Sequence, residues 1–109
     1  MAEEQRFKRL YPRRQVIARC LVSCPAYLFT GKVVDVSYNG VGILFPEVID
    51  MSGEASVEIS EGIRLRVRPV YNQPVSTQQE DIRYRVGCKI QLIEEGKRAW
   101  SNLCHVVHW

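Results

Sequence analysis

At 109 residues the chain has room for one domain and one core, and its 46% hydrophobic and 25% charged residues are those of an ordinary soluble globular protein. No apolar run approaches the roughly 18 residues of a membrane-spanning helix. The polar start Met1-Ala2-Glu3-Glu4-Gln5-Arg6 is unlike a secretory leader, so the reading excludes membrane insertion and takes the cytoplasm as the default location. The net charge is only +3, yet Arg6, Lys8, Arg9, Arg13, Arg14 and Arg19 share a stretch without one acidic residue. Such a block attracts phosphates, nucleic acid, acidic lipid or an acidic protein surface, and it also suits a basic tail that is merely solvated.

Residues 1–13 show no apolar period and read as a flexible basic arm. Pro12 disfavours a helical Tyr11 and steers this arm toward an extended path, so the Arg9/Arg13 interval is not one face of a helix. From Gln15 to Cys24, Val16, Ala18, Cys20, Val22 and Cys24 alternate with the other set, which predicts a strand. Pro25 ends it. Tyr27 to Val36 predicts a second strand with a turn or bulge at Gly31-Lys32. Ser37-Tyr38-Asn39-Gly40 reads as a hairpin turn, with Asn39-Gly40 as the dipeptide that best tolerates positive φ. Val41, Ile43 and Phe45 give a third strand, and residues 46–53 a loop.

Ala55, Val57 and Ile59 predict a short fourth strand with Glu54, Ser56 and Glu58 outward. After a turn at Glu61-Gly62, Ile63, Leu65 and Val67 alternate with Arg64, Arg66 and Arg68 in the clearest half-buried strand of the chain. Residues 72–80 are polar and read as a hairpin loop. A long sixth strand alternates Ile82, Tyr84, Val86, Cys88, Ile90 and Leu92 with polar residues and Gly87. Only the tail changes period: Glu94-Glu95 suit a helix N-terminus, and Ala99, Trp100, Leu103, Val106 and Val107 recur at helical spacing. The fold class is therefore all-β: a six-stranded antiparallel barrel over 14–93, a short C-terminal helix over 94–107, and the N-terminal arm, in a single domain spanning 1–109. Closure into a barrel also removes the edges that so many short strands would otherwise expose.

The four cysteines, Cys20, Cys24, Cys88 and Cys104, lack CxxC spacing. On one strand Cys20 and Cys24 would stand about 13 Å apart, too far for a disulfide, and reduced, buried thiols are the economical account. Cys104 and His108 could share a helix face, but two more ligands would be needed for a metal, and none is expected. His105 and His108 have no evident acid partner and no nucleophile is activated, so no catalytic residue is assigned and the chain does not read as an enzyme.

Two short motifs carry chemistry. Arg9 and Arg13 supply planar guanidinium forks that hold a phosphate or the O6/N7 edge of guanine by two hydrogen bonds and stack on a base with their flat face. Asp35 supplies a carboxylate for a guanine N1–H and 2-amine, Ser37 a hydroxyl for a phosphate, and Gly40 a bare backbone that allows close approach. Lys8, Arg14 and Asn39 are adjacent and weaker candidates. Arg68 would line the site if its face lies near the arm, and otherwise belongs with Arg64 and Arg66 to a solvated strand face. Asp35 and Ser37 beside a turn also suit simple capping of their own backbone.

In this order and spacing, Arg9-x-x-x-Arg13 followed by Asp35-x-Ser37-x-x-Gly40 resembles the bipartite signature of the PilZ domain, the bacterial receptor module for cyclic di-GMP. The context Lys8-Arg9-Leu10-Tyr11-Pro12-Arg13 and the run Arg83-Tyr84-Arg85-Val86-Gly87-Cys88-Lys89-Ile90 resemble other parts of that family, so the likeness extends along most of the chain. One departure is Asn39, where many members carry glycine. The resemblance implies a non-enzymatic receptor that needs no cofactor and binds cyclic di-GMP between arm and barrel. Arg9 and Arg13 would hold phosphates and guanine edges, and Asp35, Ser37 and Gly40 would work from the barrel surface. It also implies relay to a protein partner or an adjoining effector domain. A ligand-independent adaptor and a barrel binding single-stranded nucleic acid are the competing readings. The second is disfavoured by the low net charge and by having only Tyr11 and Tyr38 to stack bases.

Overall fold

Alternating apolar and polar side chains build six strands, and the computed structural model describes residues 13–47, 49, 51, 53–60, 62–76 and 82–105. The elements are β1 (Arg14–Ser23), β2 (Leu28–Ser37), β3 (Gly40–Phe45), β4 (Ala55–Ile59), β5 (Ile63–Ser76), β6 (Ile82–Glu95) and a helix α1 (Lys97–Cys104). They close into a barrel in the order β1-β2-β3-β6-β5-β4, every neighbouring pair antiparallel, with β4 returning to β1. The expected six-stranded antiparallel barrel with one C-terminal helix is thus the observed architecture. The arm over 1–12, with Lys8, Arg9, Tyr11 and Pro12, lies outside the described residues, as do His108 and 106–109.

The core is the inward set of each strand. Val22, Val33, Val36, Ile43, Phe45, Val57, Leu65 and Val67 are fully buried, and so is Trp100 of α1. β-Branched residues dominate because their restricted χ1 packs well on a pleated surface. Gly31 does not turn the chain as expected. β2 runs straight through it, and a Cβ there would stand 2.8 Å from both Ile43 Cγ2 and Phe45 Cε1. The glycine admits a close approach of core side chains rather than a bend.

Three boundaries differ from the sequence expectation, one being the end of α1, which stops at Cys104 with His105 extended rather than running on toward 107. β5 continues through residues 72–76, which were expected in a loop. Beyond Val67 it pairs with β6 alone among the described strands, so one edge of the ribbon is unpaired by strand. A proline on such an edge forfeits no ladder bond, which is how Pro69 and Pro74 fit inside a strand. The ladder shifts register between Pro69 and Tyr71. The helix begins at Lys97 rather than at 94, because Glu94 and Glu95 end β6. There they face arginines of β5: Arg66 Nη2 is 3.1 Å from Glu94, and Arg64 Nη1 is 2.9 Å from Glu95. Gly96, at φ 77°, turns the chain into α1 through the left-handed region. A Cβ there would also collide with the Gly62 carbonyl, so this position needs glycine twice over.

Helix α1 lies against the barrel end where β2 and β6 finish and β1 and β5 begin. Arg14, the first residue of β1, donates from Nη1 to the carbonyls of Leu103 at 3.0 Å, His105 at 3.3 Å and Asn102 at 3.4 Å. These carbonyls lie at the helix C-terminus, where that of Asn102 also accepts the His105 amide at 3.3 Å, and a cation there meets the negative end of the helix dipole. The Cys104 thiol donates to the Ser37 carbonyl at 3.4 Å. Among the described residues no helix is long and apolar enough to cross a membrane.

None of the four thiols is bridged. Burial pushes Cys20 up to about 11, and it pushes Cys88 and Cys104 up to about 12, partly offset by Arg85 at Cys88 and by Arg14 at Cys104. Unfolded thiols ionise near 9.0 while these keep their protons, so above that pH the unfolded state binds fewer protons and stability falls as pH rises from about 9 to about 12. The urea midpoint is expected to drop between about pH 8 and about pH 10.5. A thiol reagent at the lower pH is expected to label Cys20, Cys88 and Cys104 only in denaturant, which mass spectrometry of tryptic peptides checks.

Candidate functional site

Strand register places the motif residues on rows that cross the barrel wall. One row runs Gln15–Asp35–Gly42–Gly87–Tyr71 through β1, β2, β3, β6 and β5. The next but one runs Ser37–Gly40–Lys89–Arg68. Between them Val36, Val41 and Cys88 point inward and are buried. Asp35 therefore sits on the outer face, and its neighbours across two strands are both glycine. These glycines leave a trough in the wall. A Cβ on Gly42 would stand 2.6 Å from Arg85 Nη2 and 2.7 Å from Asp35 Oδ1, and one on Gly87 would collide with the Tyr71 ring.

Arg85 fills that trough over Gly42, and the Tyr71 ring fills it over Gly87. Projecting from the same face of β6 as Gly87, it donates from Nη2 to Asp35 Oδ2 and from Nη1 to the Tyr71 hydroxyl. Its guanidinium carbon also lies 5.4 Å from the Tyr71 ring centroid, within reach of the ring's negative face. Arg13 approaches the same Asp35 oxygen more loosely, with Nη1 at 3.8 Å. The two cations differ in exposure: the Arg13 side chain is 42% exposed and that of Arg85 17%, against 19% for Asp35.

Both β1 and β2 are irregular beside this pair, β1 between Gln15 and Ala18 and β2 between Val33 and Asp35. Bulges re-aim side chains and end regular pairing. Here they accompany an open groove of about 740 Å³ lined by Gln15, Ile17, Val34, Leu44 and Val75, with Asp35 and Arg85 at its polar end. Ile17 is 82% exposed on its rim. The groove thus joins an apolar wall to a carboxylate and the Arg85 guanidinium, with Arg13 close to the same carboxylate. That combination suits a flat, polar-edged, negatively charged ligand.

The remaining candidates are distributed as follows. The Ser37 hydroxyl donates to Asn39 Oδ1 at 2.9 Å, so these two are partners across the turn. The Asn39 carbonyl accepts the Ile90 amide at 2.9 Å, tying the turn to β6. Gly40 opens β3, and among the seven glycines of the chain only Gly53, Gly62 and Gly96 have positive φ. The turn is therefore Tyr38-Asn39, and Gly40 is not required for its backbone angle. A Cβ there would stand 3.3 Å from the Cys88 carbonyl, so the bare position keeps a close inter-strand approach. Arg14 is drawn to the end of α1 and away from Asp35. Arg68 stands two strands from Gly40 on the row through Lys89 and lies 3.9 Å from Glu54. With Arg64 and Arg66 it forms a surface ladder against Glu54, Glu58, Glu94 and Glu95. Exposed pairs of this kind contribute little stability each.

Sequence reasoning missed Arg85 and Tyr71 as parts of this site. The available signal was the pair Gly42 and Gly87, since glycine inside a strand marks a close approach of another group.

The family model described as PilZ domain matches residues 7–102. Two solved structures resemble the fold. One is the Bacillus subtilis inhibitor of motility MotI/DgrA, at TM-score 0.68 and 13% identity over 89% of this chain, which spans about half (49%) of that protein's length. The other is the PilZ domain of YcgR from Escherichia coli, solved with c-di-GMP, at TM-score 0.61 and 14% identity over 77% of this chain and 78% of that one. No curated sequence matches.

Proposed function

We propose a receptor role on the premise that this chain belongs to the PilZ domain family, which its match over residues 7–102 shows. The chain binds cyclic di-GMP between its basic N-terminal segment and the barrel wall, without catalysing a reaction, and relays the bound state to a protein partner or an adjoining effector domain in a bacterial cytoplasm. The observation that carries this reading is the convergence of the two motif halves: Arg13 Nη1 stands 3.8 Å from Asp35, beside the wall glycines Gly42 and Gly87, over which Arg85 and the Tyr71 ring pack. The E. coli structure of the same family and fold, which holds c-di-GMP, supports the choice of ligand.

In this reading Arg9 and Arg13 hold phosphates and guanine edges, and the half-exposed Arg13 leaves its loose contact with Asp35 to do so. Asp35 accepts the guanine N1–H and 2-amine. Ser37 exchanges its hydrogen bond to Asn39 for one to a phosphate, and Gly40 keeps the wall close to the ligand. The ordering of the arm is the signal, since it changes the surface offered to a partner. Calorimetric titration of the full chain with cyclic di-GMP tests this. The expected result is binding at about 1 μM or tighter, that is about 8 kcal/mol, with protection of 1–13 from proteolysis. Absence of heat and of protection at saturating ligand overturns the receptor role and leaves partner binding indifferent to the nucleotide.

A further inference from the structure

Resting on that receptor reading, we propose that Arg85, anchored by Tyr71, is the positioning residue that aims the Asp35 carboxylate at guanine and so sets the choice of base. Two arginines share Asp35, and their surroundings give them different work. Arg13 is itself exposed, just before β1, and reaches Asp35 at 3.8 Å, a contact easily exchanged for a ligand phosphate. Arg85 belongs to the middle of β6, is largely covered, and is held at both prongs of its fork, by Asp35 Oδ2 and by the Tyr71 hydroxyl.

The consequence is orientation. With Oδ2 held by Arg85, the second oxygen, Oδ1, lies over the bare Cα of Gly42, where even a methyl group would stand 2.7 Å from it. The Arg85 guanidinium packs beside it there, so a planar base edge reaches Asp35 from the adjoining groove. A carboxylate whose plane is fixed by Arg85 at Oδ2 presents Oδ1, and the remaining lone pair of Oδ2, to the N1–H and 2-amine of guanine in a fixed geometry. Adenine presents no N1–H and no 2-amine there. Hypoxanthine presents N1–H alone. Without Arg85, Asp35 would turn freely and read these edges with less discrimination, because a site is selective only when its polar groups are held in place. Gly87 belongs to the same device, since any side chain there would push the Tyr71 ring off Arg85.

The test compares binding of cyclic di-GMP and cyclic di-IMP, which differ only in the 2-amine, to the wild type, Arg85→Met, Arg85→Lys and Tyr71→Phe. The wild type is expected to prefer cyclic di-GMP at least ~10-fold. Arg85→Met is expected to weaken cyclic di-GMP binding by about tenfold and to bring the ratio of the two ligands close to one. Arg85→Lys keeps the charge but not the fork, so it is expected to restore little of the ratio. Tyr71→Phe, which removes one hydroxyl and leaves the ring, is expected to shift the ratio in the same direction by less. A general loss of structure would weaken both ligands alike and leave the ratio unchanged. An unchanged ratio in Arg85→Met, full rescue by Lys, or tighter binding once Arg85 is gone each overturns the positioning role while the receptor role stands. A wild type that binds neither ligand overturns both.

Discussion

Replacing Trp100 with alanine is expected to cost about 3–5 kcal/mol of stability. The indole is 1% exposed and is the largest fully buried side chain among the described residues. With Cys104 it joins α1 to a core made mostly of strand residues. A domain of this length loses about 4–8 °C of Tm per kcal/mol, so the variant is expected to melt tens of degrees lower or to fail to fold at physiological temperature. Trp100→Phe separates volume from polarity. The indole N–H has no hydrogen-bond partner among the described residues. Phenylalanine discards that unpaired donor, worth about 1–3 kcal/mol against folding, and this offsets part of the lost packing. Thermal and urea unfolding of both variants checks the pair: alanine far below the wild type, phenylalanine near it.

The largest effect on binding is expected from the residues that meet across the trough. Asp35→Ala and Arg13→Ala are each expected to weaken cyclic di-GMP binding by about 100-fold, or about 3 kcal/mol, which brings micromolar binding to the edge of detection. They should differ in the free protein. Arg13→Ala removes an exposed, long contact and is expected to leave the unfolding midpoint almost unchanged. Asp35→Ala strips the largely covered Arg85 of its counterion and is expected to destabilise the fold as well. Asp35→Asn keeps the shape while it removes the charge, and a loss of binding in that variant at a near-normal Tm assigns the effect to recognition. Calorimetry beside thermal unfolding reads both quantities, and undiminished binding by either alanine variant contradicts the assigned site.

Most of the barrel is legible in the sequence because an alternating strand states its own inward face. Ile63, Leu65 and Val67 between three arginines admit one reading, and the structure keeps it. The far half of β5 is not legible by the same rule. Asn72, Gln73 and Pro74 have the composition of a turn, and only an edge lacking a second neighbour lets them extend as strand. Glu94-Glu95 mislead for a related reason: an acidic pair before a helical period suits a helix start, yet here its charges answer Arg64 and Arg66 across the ladder. In the site, Arg13 and Asp35 are visible as motif residues of distinct chemistry. Arg85 is not, since an arginine on the polar face of a strand looks like any other until closure sets it against a carboxylate 50 positions away.

The ribbon of β5 and β6 extends beyond the reach of β4, and its outer margin carries Pro69 and Pro74. A second molecule approaching that margin to add its own strand would find two amides missing from the ladder and the register broken next to one of them. The prolines that an edge without a neighbouring strand tolerates therefore also insulate it, and this margin is poorly able to recruit copies of itself into a growing sheet.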